Sequence, residues 1–258
     1  MGGWTRACAA TSIGRIRSRN EDAYLLLPEQ RLYAVADGMG GHQRGDVAAN
    51  LCISALRDWF TGRVADEAVH PLVQRVREMF HLGSRGEADL VAAVEFANRL
   101  IYDMAFESPA LRGMGTTLVV AYFHGTTLFV AYSGDSRIYR LRKGRLVQLS
   151  VDHSLLNEYL RLRMIRPSEA RSFPYKNVIM KALGLTDRGA FDFFTRRVQR
   201  DDLYLLCSDG LTDMVEDRDI QRILLGSGTL EERCHHLVEA AEEAGGHDNI
   251  TAVLVGHE

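Results

Sequence analysis

With 258 residues, 46% of them hydrophobic and 25% charged, the chain has the make-up of an ordinary globular protein long enough to bury its own core. A net charge of -3 leaves no broad basic field, which argues against nucleic acid or an anionic membrane as partner. The four cysteines, Cys8, Cys52, Cys207 and Cys234, are scattered without a C-x-x-C pair, so zinc-ribbon and thioredoxin-type uses are excluded and buried thiols in a reducing compartment are expected.

No apolar run is long enough to cross a bilayer, and the start lacks a basic-then-apolar leader. Arg6 also stands where a myristoylation signal wants Ser or Thr, so a cytoplasmic protein is expected. There is no repeat, low-complexity tract or Pro/Ser-rich linker, which favours a single domain over residues 1–258.

In chain order, short strands are predicted at Tyr24–Leu27 and at Leu32–Ala36, the second ending at Asp37. Helices follow over about Asp46–Phe60 and Ala88–Phe106; in the second, Leu90, Val94, Ala97, Ile101 and Met104 recur at three- and four-residue steps. Strands return at Thr116–Phe123, Leu128–Tyr132 and Arg137–Leu141, with Gly125 turning the first hairpin. His153 to about Ser172 reads as polar helix, with Pro167 opening a second short piece. Strands at Phe191–Thr195 and Asp202–Cys207 precede a helix near Leu230–Ala244, whose Leu230, Cys234, Leu237, Val238 and Ala241 share a face, and a last strand at Ile250–Val255. Runs of strands separated by helices indicate an α+β fold, two antiparallel sheets flanked by helices.

One pattern stands above the rest. Apolar strands finish at Asp37-Gly38, at Gly134-Asp135-Ser136 and at Ser208-Asp209-Gly210, and Asp248 immediately precedes the last strand. Any one of these aspartates could be a turn former. Four at the rims of apolar strands can meet at one edge of packed sheets, where their charges repel unless cations lie between them. Oxygen-only ligation suits Mg²⁺ or Mn²⁺, and Gly38 would let a backbone carbonyl approach an ion. The glycine run Gly38–Gly41 lacks the Gly-Lys-Ser/Thr ending of a phosphate loop, and neither an H-E-x-x-H helix nor a G-x-S-x-G elbow is present. His235 and His236 are adjacent, so on a helix they cannot clasp one metal.

Motifs along nearly the whole chain carry a resemblance: Arg17-Ser18-Arg19-Asn20-Glu21-Asp22, Val35-Ala36-Asp37-Gly38-Met39-Gly40-Gly41-His42, Gly113-Met114-Gly115-Thr116-Thr117, Gly134-Asp135-Ser136-Arg137, Asp152-His153-Ser154, Ala182-Leu183-Gly184, Ser208-Asp209-Gly210 and Gly245-Gly246-His247-Asp248-Asn249. In this order they resemble the PPM, or PP2C-like, metal-dependent protein serine/threonine phosphatases in their compact bacterial form. The resemblance implies a four-layer α-β-β-α sandwich and hydrolysis of phosphoserine and phosphothreonine monoesters on proteins by in-line attack of a metal-bridging hydroxide. It implies two Mn²⁺ or Mg²⁺ ions and a weaker third. Asp37 would bridge the two, the Gly38 carbonyl would bind one, Asp209 and Asp248 would complete the other, and Glu21 and Asp22 would approach the Gly38-bound ion directly or through water. Asp135 with Asp209 would hold the third.

By the same resemblance, Arg17, four residues before Glu21, would clamp the substrate phosphate, while Arg15 and Arg19 read as solvated. His42 is open between general acid and a structural cap of the following helix. Asp152-His153-Ser154 reads as a helix-starting cap, with Asp152 or Ser154 accepting the N–H bonds, and Cys207 as an inert buried thiol. Residues of about 155–176 correspond to a flap beside the site. Met180-Lys181 departs from the Thr-Arg more usual in the family. The implied partners are phosphorylated proteins, including a cognate Ser/Thr kinase, acted on by a monomer. Two other readings compete: a binding module that keeps the site for structure, and a metal-dependent phosphodiesterase or nuclease. An idle cluster of acids would destabilise the first, and the second lacks a basic surface stripe.

Overall fold

The computed structural model describes residues 5–40, 44–175 and 177–257. The strands are β1 (Thr5–Ser12), β2 (Asp22–Leu27), β3 (Leu32–Met39), β4 (Gly115–Thr116), β5 (Leu118–His124), β6 (Thr127–Ser133), β7 (Arg137–Arg142), β8 (Arg145–Gln148), β9 (Asp192–Arg197), β10 (Leu203–Cys207) and β11 (Ile250–His257). The helices are α1 (Gly45–Phe60), α2 (Asp66–Phe80), α3 (Arg85–Glu107), α4 (Leu155–Arg161), α5 (Asp209–Thr212), α6 (Asp217–Leu225) and α7 (Leu230–Glu243). One antiparallel sheet runs β1-β11-β10-β7-β8 and the other β2-β3-β5-β6-β9, with β4 paired to β3.

Side-chain alternation explains the layering. In β10, Tyr204 and Leu206 join Val253 and Val255 of β11 in the core between the sheets, where they meet Tyr33, Val35, Val119 and Val130. The alternate residues Leu205, Cys207, Ala252 and Leu254 face outward onto Cys234, Leu237, Val238 and Ala241 of α7. On the other flank Leu32, Ala34 and Ala36 of β3 pack under α1 and α3. Strands covered on both faces read as continuous apolar runs, as these do. Burial of one large apolar side chain contributes about 1.5–3 kcal/mol, so these layers outweigh the exposed ion pairs at the rim.

The four-layer arrangement of helices, two antiparallel sheets and helices agrees with the expectation. Some elements differ from it. β1, β8, α2 and α6 were not anticipated: β1 is mostly Ala, Thr and Ser, and Pro71 interrupts the pattern of α2. In α3, Leu90, Val94, Ala97 and Ile101 are buried, but Met104 is 39% exposed, because the buried stripe continues from Ile101 to Ala105 and leaves Met104 beside it. The polar stretch after His153 is helical only at α4 and at the 3-10 turn Pro167–Ser172. β3 extends through Asp37 and Gly38 to Met39 instead of ending at Asp37.

Candidate active site

Asp37 has the sequence parity of Tyr33 and Val35, the β3 residues that face the opposite sheet, and it stands beside its register partner Asp22, the first residue of β2. Its backbone is gripped at both polar groups. Asp37 N–H donates to Thr117 Oγ1 at 3.0 Å, and Asp37 C=O accepts from Thr117 N–H at 2.8 Å and from Thr116 Oγ1 at 2.9 Å. Thr117 Oγ1 also meets Ser136 Oγ at 2.7 Å, which ties this grip to the turn bearing Asp135.

Asp209 opens the short α5 directly after β10. Its neighbour Ser208 donates Oγ–H to Asp22 Oδ2 at 2.8 Å while accepting Thr251 N–H at 3.0 Å, joining the two sheets at this edge. Gly210 is needed for closeness: a Cβ there would lie 2.0 Å from Asn249 O.

The loop from Ile13 to Glu21 is held at three points by the side chain of Asn249. Asn249 accepts Glu21 N–H at 2.8 Å and donates Nδ2–H to Ile13 O and Arg19 O, each at 2.9 Å. The loop so placed lets Arg17 Nη2 reach Asp248 Oδ2 at 2.7 Å. That pair is solvent-exposed at the rim, where ion pairs contribute about 0–1 kcal/mol and exchange partners readily. Glu21 lies deeper. Its Oε2 and the Gly38 carbonyl face one small space beside Gly45, since a Cβ on Gly45 would lie 2.9 Å from the first and 2.4 Å from the second.

The electrostatics of these carboxylates are unusual. Burial, then Asp22, Asp209, Asp135 and Asp248 in turn, pushes Asp37 well above the ordinary carboxylate range. Burial raises Asp22 to about 7, Asp135 to about 7 and Asp209 to about 6, each with carboxylate neighbours adding to the effect. Glu21 is raised by burial and then by Asp46, whose own carboxylate pairs with Arg19 at 3.2 Å. Asp22 Oδ1, Asp135 Oδ1 and Asp209 Oδ1 are buried without a hydrogen-bond partner. An unsatisfied buried polar atom costs about 1–3 kcal/mol, more when charged. Three in one cluster of like charges form a donor set fitted to hard divalent cations. Among the described residues, no three acidic, imidazole or thiol side chains are gathered closely enough to chelate an ion alone. An ion in the shared space would therefore take water and carbonyl oxygen into its shell, as Mg²⁺ and Mn²⁺ do.

Asp37, Asp22, Asp135, Asp209 and Asp248 are thus brought together, with Glu21 and the Gly38 carbonyl on the β2–α1 side and Arg17 at the rim. His42 lies outside the described residues. Asp152 does not cap α4. Ser154 does, accepting Asn157 N–H at 3.2 Å, while Asp152 takes Arg137 on both oxygens, the shortest contact being 2.7 Å. Thr116, Thr117, Ser208 and Asn249 were quoted in motifs without a role, although each positions a carboxylate. A small hydroxyl or amide beside Asp in a motif was the available signal.

Comparison with known proteins decides the family. A family model for "Protein phosphatase 2C" matches residues 14–254. The chain belongs to the protein phosphatase 2C family. Among its relatives, the "Serine/threonine phosphatase stp" of Listeria monocytogenes is 36% identical over 255 residues, covering 95% of this chain and 93% of the relative. The crystal structure of the Mycobacterium tuberculosis serine/threonine phosphatase PstP/Ppp superposes with a TM-score of 0.85 at 37% identity, covering 98% of this chain and 99% of the other. A structure of the PstP catalytic domain in complex with two manganese ions gives 0.82 at 36% identity, with 98% of each chain covered. The carboxylate cluster of this phosphatase 2C fold sits where β2, β3, β6, β10 and β11 end or begin, and a cavity of about 610 Å³ lined by Asp152, His153, Lys181 and Asp192 opens beside it.

Proposed function

We propose that this protein hydrolyses phosphoserine and phosphothreonine monoesters on other proteins, with Mn²⁺ or Mg²⁺ held by the carboxylate cluster. The observation that carries the reading is the set of buried aspartates around Asp37, of which Asp22, Asp135 and Asp209 each have an Oδ1 without a hydrogen-bond partner. Asp37 would be shared by two ions. The Gly38 carbonyl, Glu21 and Asp22 would serve one, Asp209 and Asp248 the other, and Asp135 with Asp209 a weaker third. Divalent ions bound there supply water of lowered pKa and offset the negative charge that builds on the phosphoryl group.

The chain's own residues do the rest. Arg17 leaves its exposed pair with Asp248 and offers a planar fork to the phosphate oxygens. Thr116 and Thr117 hold the Asp37 backbone still, and Asn249 holds the Arg17–Glu21 loop against β11. His42 is the group proposed to donate a proton to the departing seryl or threonyl oxygen. The whole chain acts as one domain, with residues 155–176 as a flap beside the site. Its substrates would be phosphoproteins of a bacterial signalling circuit, a cognate Ser/Thr kinase among them, met in the cytoplasm by a monomer.

Turnover of p-nitrophenyl phosphate and of phosphothreonine peptides tests this. Activity is expected with Mn²⁺, lost with EDTA, and lost in Asp37→Asn and Asp209→Asn. Preference for bis-p-nitrophenyl phosphate would indicate a diesterase instead, and turnover of neither ester a binding module.

A further inference from the structure

His153 has no part in the chemistry above, yet it is one of the most constrained side chains near the cluster. Only 8% of it is exposed, and its ring lies on that of Tyr132, with centroids 5.0 Å apart and planes 13° from parallel. It holds both polar groups of one residue. His153 N–H donates to Gly134 O at 2.8 Å, and Gly134 N–H donates to His153 Nδ1 at 3.2 Å. A backbone N–H can only donate, so Nδ1 carries the lone pair and Nε2 the hydrogen. Nε2 faces Asp192 Oδ2 at 3.2 Å, and Asp192 Oδ1 in turn takes Lys181 Nζ at 2.7 Å. Burial, and then the Lys181 charge, holds the imidazole pKa below the ordinary histidine value, which keeps the lone pair on Nδ1.

Gly134 needs holding. Its φ is +91°, and a Cβ there would lie 2.6 Å from Thr117 Cγ2, so the turn is pressed against the residue that grips Asp37. The next residue is Asp135, whose Oδ1 is buried without a partner. We propose that His153 is a positioning residue for Asp135: by clamping the Gly134 peptide at both ends it fixes where the Asp135 carboxylate points, and so sets the affinity of the weakest divalent-ion site. The same residue takes Met180 N–H on its carbonyl at 2.7 Å, so the clamp is continuous with the segment that follows residues 155–176. This rests on the reading of Asp135 as an ion ligand.

Two variants separate the ring's ends. In His153→Asn an amide oxygen can take the place of Nδ1 and keep the Gly134 bond, whereas His153→Gln reaches toward Asp192 and leaves Gly134 N–H unmet. Bound Mn²⁺ is counted by the paramagnetic resonance of free Mn²⁺, with no turnover involved. His153→Gln is expected to weaken the weakest class of sites by about 10- to 100-fold, the range typical of outer-sphere partners of a metal ligand, and to spare the tighter class. His153→Asn should stay close to wild type, and Asp135→Asn should lose the same weak class. A His153→Gln titration that overlays wild type overturns the proposal. An unchanged Asp135→Asn titration overturns instead the underlying reading of Asp135. Should His153→Gln fail to fold, ¹⁵N spectra of wild type decide. A coupling across the hydrogen bond between Gly134 N and His153 Nδ1, with both signals moving in the weak phase of a Mg²⁺ titration, is expected; absence of the coupling, or movement in the tight phase alone, refutes it.

Discussion

Replacing Asp22 by asparagine should stabilise the ion-free protein and abolish its activity. Asp22 is buried, bonded through one oxygen to Ser208 Oγ, and raised from 3.8 to about 7. A carboxyl whose folded pKa lies above its unfolded one holds its proton more tightly when folded. Its contribution is therefore intact below about pH 4 and lost as pH rises through about 7. A rise of about three units, at 1.36 kcal/mol each, sets a ceiling of about 4 kcal/mol on the ionisation penalty at pH 8. The neighbouring aspartates titrate together with Asp22, so removing it also lets them ionise, and a gain of about 2–4 kcal/mol is expected. Asparagine mimics the protonated acid and still accepts from Ser208. Urea unfolding in EDTA at pH 4, 6 and 8 reads the difference. Asp22→Asn should match wild type at pH 4 and pull ahead as pH rises. A difference that does not change with pH, or a variant less stable than wild type at pH 8, would refute the electrostatic reasoning.

Thr117→Val strips Asp37 N–H and Ser136 of their shared hydroxyl partner and should cost about 1–3 kcal/mol by chemical denaturation, with Thr117→Ser close to wild type. Arg17→Ala should lower kcat/KM for p-nitrophenyl phosphate about 10- to 100-fold, the loss of one charged hydrogen-bonding group, while changing stability by less than about 1 kcal/mol because its pair with Asp248 is exposed. Gly45→Ala would place a methyl 2.4 Å from the Gly38 carbonyl and 2.9 Å from Glu21 Oε2, so calorimetry should show weaker Mn²⁺ binding than in wild type.

The aspartates were legible in the sequence because acid after an apolar strand violates the chemistry of both strand and core. The layers were legible too, since strands buried on both faces carry uninterrupted apolar runs such as Leu203–Cys207. What holds the carboxylates in place was not. Asn249 reaches Glu21 across 228 residues of chain and Ser208 reaches Asp22 across 186, and no local periodicity encodes such pairs. β1 escaped notice because its alanines and threonines give only a faint alternation, with the small Cys8 and Ala10 as its buried apolar residues on the α7 side. α2 escaped because Pro71 interrupts its interior and Val76 is its only buried residue. Of the two cap candidates, Asp152 and Ser154, the cap falls to Ser154, because Asp152 is taken by Arg137, which the β7–β8 hairpin brings to it.

Anomalous diffraction at the manganese edge, from crystals grown with Mn²⁺, tests the central claim most directly. Two strong peaks sharing the Asp37 carboxylate are expected, one also contacting the Gly38 carbonyl and the other Asp209 and Asp248. Mn²⁺ peaks lying elsewhere, or no peak among these carboxylates at saturating Mn²⁺, would contradict it.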